Sequence, residues 1–112
     1  MSYLSSFRVS GQTVTLALTT AASSATLVKA NTNDQTNYVM LMNTGADVAA
    51  IELSNSSTVP TPAIASTGNA GSFVLPPAMN FPVVIAAPPA PFYIKGISSG
   101  TNTLYVTPVQ SD

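Results

Sequence analysis

The sequence contains no histidine and no cysteine, and it carries very little charge. Without histidine the chain lacks the usual general base and the commonest metal ligand, and without cysteine it has no thiolate or disulfide chemistry. Only 6% of its residues are charged, against roughly 25% in an ordinary soluble domain. We therefore expect a protein that is not an enzyme, has no cofactor or metal, and acts by binding and assembly.

The few charges nearly cancel. Arg8, Lys29 and Lys95 stand against four acidic residues, which gives a formal net charge of −1. Nucleic-acid binding requires clustered basic side chains, and no cluster is present. No apolar run approaches the ~18 residues of a membrane helix, and residues 14–18 alternate as a strand does rather than forming the core of a secretory signal. We expect no nucleic-acid partner, no membrane partner, and synthesis in the cytoplasm.

The charged residues offer few candidates for chemistry. Asp47 and Glu52 are five positions apart, an odd offset that directs them to opposite faces of a shared strand. A paired-carboxylate site would therefore need a tertiary pairing with Asp34, which the sequence leaves open. Lys95 is expected at a sheet edge, with its ammonium in water, rather than acting as a desolvated base.

Short runs with a period of two fill the chain, and no window shows the spacing of an amphipathic helix. They predict eight to ten short strands, with candidates at residues 5–10, 13–18, 25–29, 38–42, 47–53, 72–75, 83–86, 92–97 and 103–107 and an extended, proline-spaced segment at 59–62 that can only lie at an edge. The turn at Gly11 and Gln12 predicts a hairpin between the first two strands. The turn at residues 98–100 predicts another between the last two. Residues 38–42 are apolar on both faces, which indicates a central strand covered on two sides.

Strands at intervals of about ten residues are typical of a two-sheet sandwich. Nine prolines, concentrated between strands, favour crossing connections over tight hairpins. We predict an all-β fold with one domain over residues 1–112, a jelly-roll-like or immunoglobulin-like β-sandwich with Greek-key connections. Its core should contain Val14, Leu16, Leu41, Val83, Ile85, Ile94 and Val106.

Four phrases carry a resemblance to a known class of protein: MNTG at 42–45, VLPP at 74–77, FYI at 92–94 and LYVTP at 104–108. Together they resemble the small β-sandwich proteins that tailed bacteriophages carry as capsid decoration, or cement, proteins. The resemblance implies a structural virion protein on the outer surface of the capsid, bound to the major capsid protein and bridging its subunits. It also implies a homo-oligomer, with a trimer favoured and a dimer next.

Three segments are the predicted contact surfaces with a protein partner. Residues 1–10 are interpreted either as an extended arm, with Tyr3, Leu4 and Phe7 as apolar anchors, or as a plain first strand. The two proline-rich crossings, residues 59–63 and 87–91, are stiff and lose little entropy on binding. They contribute the candidates Val59, Pro60, Pro62, Pro88, Pro89 and Pro91.

Two other functions remain open at this stage. Similar phrases occur in phage fibre and tail components, which would keep the protein in the virion but away from the capsid. Alternatively, Tyr38, Tyr93 and Tyr105 could stack on a sugar ring beside the Asn-rich loop at residues 31–37, as in a carbohydrate-binding recognition module.

Overall fold

The computed structural model describes residues 7–31 and 38–111. This part of the chain contains no helix, and therefore none that could cross a membrane. Its strands are β1 (Phe7–Val9), β2 (Val14–Leu18), β3 (Thr26–Val28), β4 (Tyr38–Asn43), β5 (Ala49–Ser54), β6 (Phe73–Leu75), β7 (Val83–Ala86), β8 (Phe92–Ser98) and β9 (Asn102–Ser111).

The strands form two antiparallel sheets that pack face to face. Sheet A has the order β1-β9-β4-β7, with β2 pairing β9 as well, and sheet B has the order β3-β8-β5-β6. The pairings are nested along the chain: β2 with β9, β3 with β8, β4 with β7 and β5 with β6. Nested antiparallel pairs divided between two sheets are the topology of a jelly roll. The predicted sandwich is confirmed, and the strand order is that of the jelly roll rather than the immunoglobulin fold.

The connections explain why the prolines lie where they do. From β2 onward, every connection except that between β5 and β6 passes from one sheet to the other. Proline has no N–H to contribute to a ladder, so it is tolerated in such crossings and excluded from most strand interiors. The expected crossing connections are therefore present.

The predicted hairpin between the first two strands is wrong. Both β1 and β2 pair with the same edge of the long strand β9, with Val9 opposite Val109 and Val14 opposite Val106. Residues 10–13 thus face only two residues of β9 and form an interruption in a single edge. The backbone N–H of Ser10 still donates to the carbonyl of Pro108, at 2.9 Å. In an antiparallel ladder the N–H and the C=O of one residue point toward the same neighbouring strand. The carbonyl of Pro108 points toward Ser10, so the N–H that proline lacks would point toward this interruption as well. Pro108 therefore costs the ladder between β9 and β4 no hydrogen bond.

The predicted hairpin between the last two strands is also wrong. β8 belongs to sheet B and β9 to sheet A, so residues 99–101 cross between the sheets. A short glycine-containing turn is compatible with a hairpin within one sheet and with a connection between two sheets. The choice is made by the partners of each strand, because β8 fits between β3 and β5 while β9 fits between β2 and β4.

One continuous core fills the space between the sheets. Phe92 is its largest fully buried side chain. Of the predicted core, Leu16, Leu41, Ile94 and Val106 are buried, whereas Val14, Val83 and Ile85 are partly buried and pack against it. The other members of the buried cluster are Leu18, Val28, Val39, Ala49, Ile51, Leu75, Phe92 and Leu104.

A buried polar network ties three crossing connections together at one end of the sandwich. The side-chain amide of Asn43 donates to the carbonyls of Asp47 and Pro76, at 3.0 and 3.1 Å, and its oxygen accepts from the N–H of Gly45 at 3.2 Å. Asn102 donates to the Asp47 carbonyl and, at 2.9 Å, to the hydroxyl of Ser98. The connections after β4, β6 and β8 are therefore fixed to one another from inside.

Gly96 in β8 leaves room for a core leucine of the opposite sheet. A Cβ atom at Gly96 would lie 2.6 Å from Cδ2 of Leu18, which is fully buried. We expect Gly96→Ala to lower the free energy of unfolding by about 1–3 kcal/mol through overpacking. In a Leu18→Ala background the added methyl group should instead fill the vacated space, so the double variant should be no less stable than Leu18→Ala. Urea unfolding of the four proteins measures this coupling, and additive costs would contradict it.

Candidate docking surfaces

The outer face of sheet A is apolar and uncharged. We define the sheet A face as the described residues whose side chains point away from the core of this sheet and are at least partly exposed: Phe7, Val9, Thr13, Thr15, Ala17, Tyr38, Met40, Met42, Val84, Ala86, Thr103, Tyr105 and Thr107. Val109 lies on the same side of the sheet but is fully buried. The strand register sets these residues in rows, with Met40 between Thr107 and Val84. It includes two of the chain's four tyrosines and two of its four methionines.

The sheet A face is accessible over much of its area. Val9 is 57% exposed, Tyr105 41% and Phe7 37%. Phe7 and Tyr38 pack edge to face, with ring centroids 5.4 Å apart. The sequence correctly predicted β4 to be a central strand, but only one of its faces is fully buried, because the side chains of Tyr38, Met40 and Met42 remain half-buried.

The charged side chains lie elsewhere. Glu52 and Lys95 are directly opposite on β5 and β8, on the outer face of sheet B. Lys95 is therefore in the centre of a sheet, and the expectation that it lies at an edge is wrong. Glu52 accepts a hydrogen bond from the hydroxyl of Ser72. Within residues 7–31 and 38–111 no group of three or more acidic side chains comes together as a metal site would require.

Of the three apolar anchors predicted within residues 1–10, the structure describes one. Tyr3 and Leu4 lie outside the described residues. Phe7 belongs to β1 and contributes to the sheet A face, so residues 7–9 form a first strand.

Of the two proline-rich segments, residues 87–91 do cross between the sheets, but residues 59–63 lie in the β5–β6 connection, which stays within sheet B, so the prediction that they form a crossing is wrong. Val59 and Pro62 are buried, while Pro60, Pro89 and Pro91 are exposed and Pro88 is partly exposed. The exposed residues of both segments stay candidates for partner contact.

The three tyrosines do not form one platform. Tyr93 lies on the outer face of sheet B, opposite Leu27 and Ser54, while Tyr38 and Tyr105 are on the sheet A face. Residues 32–37, most of the Asn-rich loop, lie outside the described residues. A sugar platform made of all three rings is thus absent, although Tyr105 alone presents an exposed ring with Thr15 directly opposite.

The connection between β6 and β7, residues 76–82, presents one aromatic side chain to solvent. Phe81 is 81% exposed, the most exposed of the large apolar side chains in the described chain. Two backbone hydrogen bonds fix the loop to the end of β4 and the connection that follows it. The N–H of Ala78 donates to the Gly45 carbonyl at 2.7 Å, and the N–H of Met79 donates to the Asn43 carbonyl at 2.9 Å. Ala78 adopts a positive φ of 49°. Phe81 was not among the predicted contact residues.

An apolar groove opens at the side of the sandwich, between the edge strands β6 and β7. We call it the edge groove. It has a volume of about 390 Å³ and is lined by Ile51, Glu52, Leu53, Phe73, Ile85, Ala86, Ala87 and Pro88. Phe73 is 45% exposed within it. The groove exists because β6 has only three residues, so the two sheets are not closed against each other beyond Phe73.

The arrangement as a whole offers surfaces for apolar contact and no convergence of reactive groups among the described residues. The chain matches no protein-family model, no curated protein and no solved structure.

Proposed function

We propose that this protein is a structural virion protein that decorates a bacteriophage capsid, binding its outer surface through the sheet A face and bridging neighbouring subunits. The observation that carries the proposal is the absence of any charged side chain from this face in the described chain, together with its concentration of Tyr, Met and Phe. These residue types are enriched, and charges depleted, in the centres of protein–protein interfaces.

A protein surface fits the sheet A face better than a nucleic acid or a charged partner would. Methionine side chains such as Met40 and Met42 adapt to irregular apolar surfaces. Tyr38 and Tyr105 bury large areas while their hydroxyl groups remain able to form hydrogen bonds at the rim. The lack of charge removes long-range steering, which a protein that binds a crowded, repetitive lattice does not need.

The size of the domain argues for multivalent attachment. A single small face gives a modest affinity, but a protein that contacts two adjacent subunits gains from the effective concentration of the second contact. A capsid repeats the same surface many times, so a small bridging protein gains this advantage at every site. Bridging also stabilises the lattice, because whatever binds only the assembled form shifts the equilibrium toward it.

Co-sedimentation with capsids that lack this protein tests the proposal. We expect saturable binding of the wild-type protein, and a loss of at least tenfold in affinity for Tyr105→Lys, which buries a charge in the interface. Val74→Lys is a matched control, because Val74 is 40% exposed, close to the 41% of Tyr105, and lies on β6 of the other sheet. Folded wild-type protein that stays in the supernatant at high concentration, or equal binding by both variants, would overturn the proposal.

The second candidate is a carbohydrate-binding function of a fibre or tail component, favoured by the exposed ring of Tyr105 next to threonine hydroxyl groups. Thr15 lies directly opposite Tyr105, and Thr103 is two residues along the same face of β9. Titration with neutral oligosaccharides, followed by NMR shifts, separates the two functions. Binding that is abolished by Tyr105→Ala and kept by Tyr93→Ala would favour the glycan over the capsid.

A further inference from the structure

The side of the sandwich formed by β6 and β7 combines three features that lack a partner in the described chain. Phe81 projects from the loop at residues 76–82, which two backbone hydrogen bonds hold in place; the edge groove is an unfilled, mainly apolar space; and β7 is an edge strand with only β4 as its neighbour. Phe81 cannot reach the edge groove of its own chain, because Phe81 lies just before the start of β7, whereas the groove lies beside the other end of this strand, from Ile85 to Pro88. About five residues of extended chain, at ~3.3 Å each, separate them.

We propose that this side is an interface between two copies of the chain, in which Phe81 of each copy fills the edge groove of the other. The groove volume of about 390 Å³ is ample for a phenyl ring. Its lining is apolar except for Glu52, whose carboxylate already accepts a hydrogen bond from Ser72.

The geometry of β7 supports a two-fold arrangement. Directly opposed residues of antiparallel strands carry their side chains on the same face of the sheet. A two-fold axis between two β7 strands must therefore place one residue of β7 directly opposite the same residue of the second copy. With the axis at Val84, Val83 lies opposite Ile85 of the second copy. The same register, continued outward, brings Phe81 opposite Ala87 of the second copy, which is a residue of the edge groove. Pro82 and Pro88 bound the ladder and so restrict slippage of the register.

The loop that carries Phe81 is prepared for binding. Its prolines and the two hydrogen bonds from Ala78 and Met79 hold the backbone before any partner arrives. Little conformational entropy remains to be lost on association, which is the condition under which one exposed aromatic side chain acts as an anchor.

The area and the charge of this side are those a dimer needs. The molecule measures 39 × 35 × 24 Å, so one side of the sandwich has room for the ~800 Å² per partner of a standard interface. Two buried phenylalanine rings would supply roughly 150–250 Å² each. Glu52 is the single charged residue lining the edge groove, and residues 76–88 contain none, so like-charge repulsion does not oppose the contact. The resemblance to decoration proteins favours a trimer, whereas the β7 edge points to a dimer.

Sedimentation velocity of the purified protein over a range of concentrations tests this without any capsid. We expect a species of twice the 11.4 kDa chain mass. Phe81→Ala and Phe73→Lys should each weaken association by roughly 30-fold or more. Val74→Lys is the control for the second variant, since Val74 is the next residue of β6, similarly exposed, and points to the outer face of sheet B. Circular dichroism checks that each variant is folded.

Mixing the two defective variants gives the decisive measurement. Phe81→Ala keeps an intact groove and Phe73→Lys keeps an intact Phe81, so a mixed dimer retains one of the two contacts while each variant alone retains none. The mixture should associate more tightly than either variant by itself. A monomeric wild-type protein, a trimer, unchanged association of both folded variants, or no gain on mixing would each overturn the proposal. Capsid binding is a separate measurement, so failure here is distinguishable from failure of the proposed function.

Discussion

Replacing Asn43 by alanine is expected to lower the free energy of unfolding by about 3 kcal/mol. Asn43 is fully buried, and its side chain satisfies the carbonyls of Asp47 and Pro76 and the N–H of Gly45. Asp47 keeps a second donor in Asn102, but the bonds to Pro76 and Gly45 have no substitute among the described contacts. Each buried polar group that loses its partner costs about 1–3 kcal/mol. Urea unfolding followed by circular dichroism measures the loss.

The matched control for Asn43 is Asn55→Ala, which makes the same substitution at an exposed loop position after β5. It should change the free energy of unfolding by less than about 0.5 kcal/mol. Asn43→Ala should also loosen residues 76–82, because the amide bond to Pro76 anchors the start of that loop. Faster hydrogen exchange at Ala78 and Met79 than in the control is therefore expected. Equal stability of the two variants would show that the network does not hold the connections together.

The strands could be predicted from the sequence because the alternation of inward apolar and outward polar or small residues along a strand is a local pattern. The predicted bounds of β7, residues 83–86, are those observed, and the alternation in β2 matches its burial, with Leu16 and Leu18 inward and Thr15 and Ala17 outward. The prolines supplied the second signal, since a residue without an N–H is excluded from most ladder positions. These two local signals suffice for an all-β sandwich with crossing connections.

The pairing of the strands could not be predicted in the same way. Gly11 and residues 98–100 carry the chemistry of tight turns, yet neither turn joins two paired strands. The deciding factor is non-local: β9 runs from Asn102 to Ser111, long enough to pair with β1 and β2 along one edge and with β4 along the other. A turn fixes the direction of the chain over a few residues, but the sheet that a strand joins depends on distant partners.

The candidate surfaces were foreseen only in part. Phe7 was identified as an apolar anchor and does lie on the sheet A face. Val59 and Pro62 were chosen for the stiffness of their segment, but stiffness does not determine exposure, and both are buried. Phe81 was missed because a single aromatic residue in a loop has no periodicity to reveal which way it points.

The two proposed surfaces reinforce each other in a simple geometric way. A two-fold axis through Val84, perpendicular to the sheet, would keep the outer faces of both copies of sheet A on the same side of the dimer. Val84 itself belongs to the sheet A face, so the two faces would meet at the axis and form one continuous surface. Under the proposed capsid function, such a dimer would contact two subunits at once, which is the arrangement that bridging requires.

Alanine substitutions at three phenylalanines should differ widely in their effect on stability. Phe92 is fully buried, Phe73 is 45% exposed and Phe81 is 81% exposed. Truncating a core phenylalanine costs about 3–5 kcal/mol because apolar area is lost and a cavity remains. We expect about 4 kcal/mol for Phe92→Ala, about 1 kcal/mol for Phe73→Ala and close to zero for Phe81→Ala, since the cost scales with the buried area that is removed. A loss of about 4 kcal/mol is a large share of the ~5–15 kcal/mol by which a domain is stable.

The measurement is urea unfolding at a protein concentration low enough for the monomer to predominate, because association adds to the apparent stability. At higher concentration the wild-type protein should gain more stability than Phe81→Ala, because the dimer of the variant is weaker. Phe81 would then contribute nothing to the free energy of unfolding of the monomer and would stabilise the protein only when two copies associate. If Phe81→Ala destabilises the dilute monomer as much as Phe92→Ala does, Phe81 packs within its own chain and is not available to a second copy.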